Sequence, residues 1–301
     1  MAMRRLLRGL LLLLPLEHCA GEDVNDVILP REGQRVFFKY TSEQAGADHR
    51  LLHMLNELAS PRLDIYNFGV YTGTGLHKLS SVRNFGHLWG FDSFHGLPSQ
   101  DTNESLAWRS SSGKDKGAFN KGGYSAADAT KVYNLTALMS FVASRVGRRN
   151  MTLVPGYFSD SLTPQLLQRY TFQPALHVDC DVDIYVSTMQ SLDWMLANKL
   201  LVPSSTVRYD DWPTLNASHG PASGTNFYGM ARAHYELTNK YRIRWQVVAR
   251  NSLQIVAIGS DECDPRRCGP DSPAGKVALR GTAGMMCVFP VGAGVYCPDG
   301  M

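Results

Sequence analysis

Apolar runs of strand length alternate along the chain with segments of helical periodicity. The runs that predict parallel strands cover residues 63–71, 88–91, 151–155, 175–180 and 205–209. Segments with helical spacing at 127–146, 161–170 and 188–199 separate several of these runs, and a further amphipathic helix is predicted at 48–58. Strands separated by helices imply right-handed crossovers and a sheet covered on both faces. The pattern therefore predicts an α/β fold with a doubly wound, mostly parallel sheet.

The last part of this pattern departs from the alternation. A helix predicted at residues 227–240 is followed by two strand-like runs at 241–248 and 252–258. The two runs are separated by a connection of hairpin length, which joins antiparallel strands. We therefore expect an antiparallel C-terminal strand pair beside the parallel strands.

A polar segment of nearly thirty residues interrupts the alternation after the second predicted strand. Residues 98–126 are rich in Gly, Ser, Asp and Lys and carry Trp108, Phe119 and Tyr124. Connections of this length are uncommon in compact domains unless they have a function. The segment is predicted to form a lid that contacts the substrate.

Composition limits the class of protein and its partners. The chain has 301 residues, 44% of them hydrophobic, and a formal net charge of +3. It is long enough to bury one substantial core. The charges are mixed along the chain, so no nucleic-acid partner is expected.

The N-terminus is typical of a targeting segment. Arg4, Arg5 and Arg8 precede an apolar run at residues 10–14, which is too short to span a bilayer. Residues 1–21 are therefore predicted to direct the chain to the secretory pathway or outside the cell, with an organellar transit peptide as the alternative. No later run is long enough to predict an integral membrane span in the mature chain.

The C-terminal extension, residues 259–301, contains four cysteines among Gly, Pro and Asp residues. They are Cys263, Cys268, Cys287 and Cys297. An oxidising compartment would favour two disulfides, whereas the spacings fit known zinc sites poorly. Cys180 lies in an apolar run and is predicted to be a buried thiol.

A glycine-rich turn follows the first predicted strand. Gly69, Gly73 and Gly75 allow the backbone to approach a ligand and leave free amides at the start of the next helix. Asp92 ends the second strand, about twenty residues after the turn, where an acid accepts both ribose hydroxyls of a nucleoside. A helix cap or a turn would also explain an aspartate at this position. The combination nevertheless favours a nucleoside-binding site.

Two acidic clusters follow the fourth and fifth predicted strands. The first contains Asp179, Asp181 and Asp183, and the second contains Asp210 and Asp211. Neighbouring strand ends converge on the ligand crevice in a doubly wound sheet, so both clusters should face one volume. Carboxylates brought together repel each other unless a proton or cation intervenes, and oxygen ligands suit magnesium, calcium or manganese.

Four motifs together resemble the macrocin O-methyltransferase family. The chain reads D-S-F-H-G-L-P at 92–98, P-G-Y-F-S-D-S-L at 155–162, D-V-D-I-Y-V-S-T at 181–188 and Y-D-D-W at 209–212. The resemblance covers residues 63–248 and implies a Rossmann-like methyltransferase domain, which we place at 22–258. It implies S-adenosylmethionine (SAM) as methyl donor, Mg²⁺ as metal ion and a hydroxyl of a sugar or natural-product scaffold as acceptor.

The resemblance also implies roles for individual residues. Asp181, Asp210 and Asp211 would bind the metal ion, with Asp181 also acting as general base, although the register among Asp179, Asp181 and Asp183 stays open. Asn67 stands where the family carries an acid. The residues expected to bind the donor are Gly69, Val70, Tyr71, Thr72, Gly73, Gly75, Asp92, Ser93, Phe94, Gly156 and Phe158.

Two other functions are compatible with parts of the pattern. A nicotinamide-dependent oxidoreductase would also use the glycine turn and Asp92, but hydride transfer does not need the acidic pair Asp210 and Asp211. A non-catalytic nucleoside-binding protein could share the fold, and Asn67 is the feature that favours it. The sequence favours the O-methyltransferase over both.

Overall fold

The computed structural model of the chain describes residues 42–99, 120–210, 229–249 and 251–259. The predicted targeting segment, most of the lid, Asp211 and the four cysteines of the C-terminal extension lie outside the described residues. Cys180 lies within them and is a free, fully buried thiol, as predicted.

Within the described residues seven strands form one sheet, and its architecture confirms the predicted fold class. The strands are β1 (Asp64–Phe68), β2 (Leu88–Asp92), β3 (Met151–Pro155), β4 (Ala175–Cys180), β5 (Thr206–Tyr209), β6 (Ile243–Ala249) and β7 (Ser252–Ile258). Their order is β3-β2-β1-β4-β5-β7-β6. The first five strands are parallel, whereas β7 is antiparallel to both β5 and β6.

Eight helices accompany the sheet in the described part of the chain. They are α1 (Ser42–Leu58), α2 (Thr74–Leu79), α3 (Ala126–Thr130), α4 (Leu135–Val146), α5 (Phe158–Ser161), α6 (Pro164–Arg169), α7 (Tyr185–Ala197) and α8 (Gly229–Tyr241). None of them is both long and apolar enough to cross a bilayer.

The segment predicted as one helix at 127–146 is a pair of helices, whereas the helix predicted at 161–170 is observed as α6, with the short α5 before it. Between α3 and α4, Lys131 adopts a left-handed conformation with φ of 61°, and the Asn134 side chain then accepts the amide of Ala137 at 2.9 Å. Between α5 and α6, Thr163 caps the second helix and Pro164 occupies its first turn. Cap residues inside an apolar periodic segment thus override the periodicity, because each satisfies amides that begin a new helix.

The sheet separates two hydrophobic clusters, one on each face. On one face, Phe68 stacks on Phe91 with ring centroids 4.7 Å apart, next to residues of α7 and α8. On the other face, Ile65 packs with side chains from α1, α2 and α4. Both faces are therefore buried, which explains why the parallel strands read as continuous apolar runs.

One row of polar residues breaks the apolar face that packs against α1 and α2. Asn67 on β1 pairs in register with Asp179 on β4, and Asp179 pairs with Arg208 on β5. Paired residues on neighbouring parallel strands project to the same face of a sheet. The fold therefore places an amide, a carboxylate and a guanidinium side by side near the carboxyl ends of the three central strands.

Candidate functional site

A cavity of about 320 Å³ lies at the carboxyl ends of the central strands. This is the edge at which doubly wound sheets bind ligands. Most of the predicted site residues line it, namely Gly69, Tyr71, Gly75, Asp92, Ser93, Gly156, Phe158, Asp181 and Asp210. The structure therefore brings together the glycine turn, the end of β2, the loop after β3, the first acidic cluster and Asp210 of the second.

The turn after β1 requires glycine at its first position. Gly69 has a φ of +87°, and a Cβ atom there would lie 1.7 Å from the carbonyl oxygen of Asp181. Only a residue without a side chain allows the end of β1 to lie against the loop after β4. Gly69 thus holds the two loops together at the floor of the cavity.

Gly75 leaves space rather than relieving a strained backbone. A Cβ atom at this position on α2 would lie 3.5 Å from Oδ2 of Asp179 and 3.9 Å from the side-chain nitrogen of Asn67. Both distances correspond to ordinary contacts, so a larger residue would fit here only by filling part of the cavity. The cavity wall above the polar row is therefore open because position 75 is glycine.

Four predicted donor-binding residues, Val70, Thr72, Gly73 and Phe94, do not line the cavity. Val70 and Phe94 are buried in the hydrophobic core. The carbonyl of Thr72 accepts a hydrogen bond from Arg145 at 3.3 Å, and Gly73 packs against Val142. These contacts hold the loops around the cavity in place.

Asp92 organises the two loops that meet above β1 and β2. Its Oδ2 accepts the amide of Tyr71 at 2.7 Å, and its Oδ1 accepts the amide of Phe94 at 2.6 Å. Burial raises the pKa of the carboxyl, while these amides act in the opposite direction. A carboxylate offers about four lone-pair positions, so Asp92 can hold both loops and still accept ligand hydroxyls. The turn role and the ribose role are therefore compatible.

The loop after β3 joins the same site through Asp92. The amide of Gly156 donates to the backbone carbonyl of Asp92 at 2.9 Å, and Gly156 has a φ of +123°. Phe158 then places its ring edge against Phe68 at a centroid distance of 5.5 Å. The P-G-Y-F segment thus supplies an aromatic wall beside the end of β2.

The acidic clusters are held by a residue that the sequence interpretation missed. The Nη1 atom of Arg208 donates to Oδ1 of Asp179 at 2.9 Å, and its Nη2 atom donates to Oδ1 of Asp210 at 2.6 Å. Oδ1 of Asp48 lies 3.9 Å from the same Nη2, and Lys78 pairs with Asp48 at 3.0 Å. One guanidinium therefore bridges carboxylates from two neighbouring strands.

Asn67 completes the partners of Asp179. Its side-chain nitrogen lies 3.4 Å from Oδ2 of Asp179, so the two oxygens of this buried carboxylate face an amide and a guanidinium. The Oδ1 atom of Asn67 is buried and has no hydrogen-bond partner among the described residues. A neutral amide at position 67 is compatible with this arrangement, whereas an acid would place two carboxylates in contact.

His177 lines the deeper part of the cavity as a neutral imidazole. The hydroxyl of Thr206 donates to the carbonyl of Leu176 at 3.0 Å, so its oxygen accepts Nδ1–H of His177 at 2.9 Å. Nε2 is then unprotonated, buried and without a partner among the described residues. Burial, reinforced by the charge of Arg208, lowers the pKa of His177 to about 3.

Asp181 and Asp183 follow β4 and line the cavity mouth. The amide of Asp181 donates to the carbonyl of Phe68 at 2.9 Å, and Asp183 has a φ of 60°. Both residues have interacting neighbours. The backbone geometry places Asp181 directly beside the glycine turn.

The predicted magnesium site does not fit the arrangement of the described residues. No group of three His, Cys, Asp or Glu side chains within residues 42–99, 120–210, 229–249 and 251–259 is arranged to hold a metal ion. Oδ1 of Asp210 accepts a hydrogen bond from Arg208, so this oxygen already has a cationic partner. Asp211, the third predicted ligand, lies outside the described residues.

The base of the predicted lid is closed by backbone hydrogen bonds. The amide of Leu97 donates to the carbonyl of Gly123 at 2.8 Å, and the amide of Gly122 donates to the carbonyl of Leu97 at 2.7 Å. Tyr124 and Pro98 line the cavity from the two ends of this segment. Both ends of the segment therefore meet at the cavity mouth.

Comparison with known proteins yields structural neighbours only. No protein-family model and no curated protein matches the chain. A crystal structure of the calicheamicin methyltransferase CalS11 shares 14% identity, covering 76% of this chain and 99% of its own, with a TM-score of 0.45. The O-methyltransferase TomG from Streptomyces achromogenes, in complex with SAM, shares 16% identity over 73% of this chain and 91% of its own, with a TM-score of 0.37.

A third neighbour is an O-methyltransferase from Bacillus cereus in complex with SAH, with 13% identity over 72% of this chain and 82% of its own and a TM-score of 0.38. Sequence identities and TM-scores this low do not support a conclusion about activity. The fold class follows from the strand order itself, and the function is inferred below from the cavity.

Proposed function

We propose that the protein is a SAM-dependent methyltransferase that transfers a methyl group to a hydroxyl of a small molecule. The observation that carries this proposal is the charge around the cavity. Among the residues that the structure describes, its lining contains the carboxylates Asp48, Asp92, Asp179, Asp181, Asp183 and Asp210, against two cationic side chains, Lys78 and Arg208.

This excess of negative charge discriminates between the two cofactors that the glycine turn could accommodate. The sulfonium and ammonium groups of SAM are attracted to a carboxylate-lined cavity, whereas the pyrophosphate of a nicotinamide dinucleotide is repelled. Dinucleotide-binding sheets also have the strand order 3-2-1-4-5-6. Here an antiparallel β7 lies between β5 and β6, so the sheet departs from that arrangement.

The donor would bind along the ends of β1 and β2. Asp92 accepts the ribose hydroxyls, Phe158 and the loop after β3 form the aromatic wall for the base, and Gly69 and Gly75 allow close approach of the rest of the donor. The support for this placement is that these residues line one continuous cavity. The resemblance of the four sequence motifs to macrocin O-methyltransferases agrees with it.

Methyl transfer is an in-line displacement at carbon. The acceptor oxygen forms a bond to the methyl carbon while the carbon–sulfur bond breaks, and neutral S-adenosylhomocysteine leaves. The hydroxyl proton passes to a carboxylate, for which Asp181 at the cavity mouth is our candidate, a step that contributes about 10²–10⁴-fold. Holding the two reactants in line contributes more, about 7–11 kcal/mol.

The acceptor would enter between the ends of the lid. Leu97, Pro98, Tyr124 and Tyr157 form an apolar and aromatic rim next to the acidic lining. Such a rim can pack against the carbon faces of a sugar or a ring system while the carboxylates accept its hydroxyl hydrogens. We therefore propose a hydroxylated small molecule as the acceptor class.

Calorimetric titration with SAM, S-adenosylhomocysteine and NAD⁺ tests the cofactor. We expect SAM to bind, NAD⁺ to produce no saturable heat, and Asp92→Ala to weaken SAM binding. Production of S-adenosylhomocysteine across a panel of glycosides and phenols then tests turnover. Saturable NAD⁺ binding without SAM binding would overturn the proposal, and SAM binding without turnover on any acceptor would instead indicate a non-catalytic binding protein.

A further inference from the structure

We propose that the guanidinium of Arg208 takes the position of a divalent cation between the carboxylates of the site, and that the protein holds Asp179 and Asp210 in place without a bound metal ion. This inference rests on the proposed function, because it concerns how the same cavity is organised. It makes Arg208 a positioning residue, since Arg208 acts through Asp179 and Asp210.

The contact geometry is that of a bridging cation. Two different nitrogens of Arg208 donate to two different carboxylates, at 2.9 Å to Asp179 and 2.6 Å to Asp210. A planar guanidinium offers fixed donors in several directions and stays charged under all ordinary conditions. It can therefore join carboxylates on adjacent strands, as an oxygen-bound metal ion would, but at hydrogen-bond distances.

Burial strengthens this arrangement. The side chains of Asp179 and Arg208 are 4% and 21% exposed, and Asp210 lies at the cavity mouth with 41% exposure. Charges removed from water interact more strongly and are screened less by salt. Asp179, followed by Asp210 and Asp48, raises the pKa of Arg208 further above its ordinary value in spite of burial.

The same contacts place the guanidinium where a metal ion shared by Oδ1 of Asp179 and Oδ1 of Asp210 would have to lie. Mg²⁺ requires carboxylate oxygens at about 2.0–2.1 Å in near-octahedral geometry. Oδ1 of Asp179 and Oδ1 of Asp210 already accept hydrogen bonds from Arg208, and Oδ2 of Asp179 faces the amide of Asn67. A cation bound there would have to displace the guanidinium and then lie beside its positive charge.

The sequence supplies Asp179 with one side-chain partner on each neighbouring strand. Asn67, Asp179 and Arg208 are register partners on three adjacent strands. The residue at position 67 is an amide where the resembling family carries an acid, and the residue at 208 supplies a cation two positions before Asp210. A neutral neighbour and an internal cation together satisfy Asp179 without an external ion.

Manganese titration monitored by electron paramagnetic resonance tests the proposal directly on the full chain. We expect the wild-type protein to bind no stoichiometric Mn²⁺ and its SAM affinity to be unchanged by EDTA. Arg208→Met removes the charge but keeps an unbranched side chain, and it should gain an Mn²⁺ site. The double variant Arg208→Met with Asp210→Asn should bind no Mn²⁺ at this site. Arg208→Lys, which keeps the positive charge, should also bind none.

The wild-type titration decides the outcome even if Arg208→Met fails to fold. A stoichiometric Mn²⁺ site in the wild type that Asp210→Asn removes would overturn the proposal, as would a folded Arg208→Met variant that gains no site. SAM binding is measured on the same samples. A wild-type protein that binds neither SAM nor Mn²⁺ would contradict the proposed function but not the role of Arg208. The failure of one proposal can therefore be told from the failure of the other.

Discussion

Two buried aspartates at opposite ends of the central strands show how the same side chain serves different purposes. At the amino end of β1, Asp64 is 1% exposed and accepts the indole N–H of Trp89 at 2.8 Å and the amides of His87 and Gln173 at 2.8 and 3.0 Å. At the carboxyl end of β4, Asp179 is 3% exposed and is paired with the charged side chain of Arg208.

The partners explain the difference between the two ends. The donors around Asp64 are neutral groups fixed by the sheet and its loops, and a Cβ atom at Gly86 would come within 2.5 Å of its Oδ1, so no space remains for a ligand. Asp179 lines a cavity and shares its cation with Asp210. Burial of an acid alone therefore does not identify a functional site, whereas burial beside a cavity and a shared counter-ion does.

The largest expected effect is on stability and comes from the amino end. Asp64→Ala leaves the Trp89 indole and two backbone amides without acceptors, and each unpaired buried donor costs about 1–3 kcal/mol. We expect the free energy of unfolding in urea to fall by about 3–5 kcal/mol, with the SAM affinity of the folded fraction unchanged. Asp64→Asn should lose less, and reduced SAM affinity in either variant would contradict the separation of the two ends.

At the carboxyl end we expect a loss of donor binding in addition to a loss of stability. Asp92→Ala removes the acceptor for the donor's ribose and for the amides of Tyr71 and Phe94. Hydrogen bonds to charged groups contribute about 1.5–3 kcal/mol, so SAM should bind about 100-fold more weakly in calorimetry. Asp160→Ala removes the same charge from an exposed position and should bind SAM as the wild type does.

Acid should destabilise the protein through the buried histidines. The pKa of His177 is lowered to about 3, so the unfolded chain takes up a proton as pH falls below about 6.5 while the folded protein does not. The stability contributed by neutral His177 is complete above pH 6.5 and is lost toward pH 3. We expect a loss of about 1.4 kcal/mol at pH 5.5 from this residue.

Variants of the buried histidines isolate that contribution. His177→Gln should reduce the pH dependence of the free energy of unfolding between pH 7 and 5.5. His234, whose pKa is also lowered to about 3 by burial, should contribute a similar slope. An unaltered slope in both buried-site variants would rule out the neutral, buried state of these histidines.

The smallest effect should have opposite signs for stability and binding. Gly75→Ala replaces a glycine within α2. Alanine in place of glycine stabilises a helix by about 0.5–1 kcal/mol. The methyl group of the new alanine would lie 3.5 Å from Oδ2 of Asp179, which is an ordinary contact distance. The same methyl group would, however, occupy part of the cavity. We therefore expect a higher melting temperature together with weaker SAM binding, and equal or tighter binding would show that the donor does not pass this wall.

Most helices and strands were predictable from the sequence, because the spacing of apolar residues and the order of the apolar runs along the chain indicate them. The runs at β3, β4 and β7 match their predicted bounds, since buried parallel strands and a hairpin leave clear apolar patterns. The split between α3 and α4 was missed because the capping role of Asn134 depends on a local hydrogen bond that periodicity does not report.

The site was predictable in position but not in all its partners. Asp92, Asp181 and Asp210 reach the cavity because strand ends converge. Arg208 was missed because it lies inside a strand, although its place two residues before Asp210 indicates the same face of the sheet. The contribution of Asp48 from α1 and the tautomer of His177 depend on tertiary packing, which no local pattern contains.

Hydrogen–deuterium exchange with and without SAM tests most directly whether the carboxyl edge binds the donor. We expect SAM to slow exchange in residues 69–75, 92–97 and 156–158 and to leave residues 86–88 at the amino edge unchanged. Slowed exchange at the amino edge with none in the glycine turn, or no change anywhere in the folded protein at saturating SAM, would contradict the assignment of the cavity as the donor site.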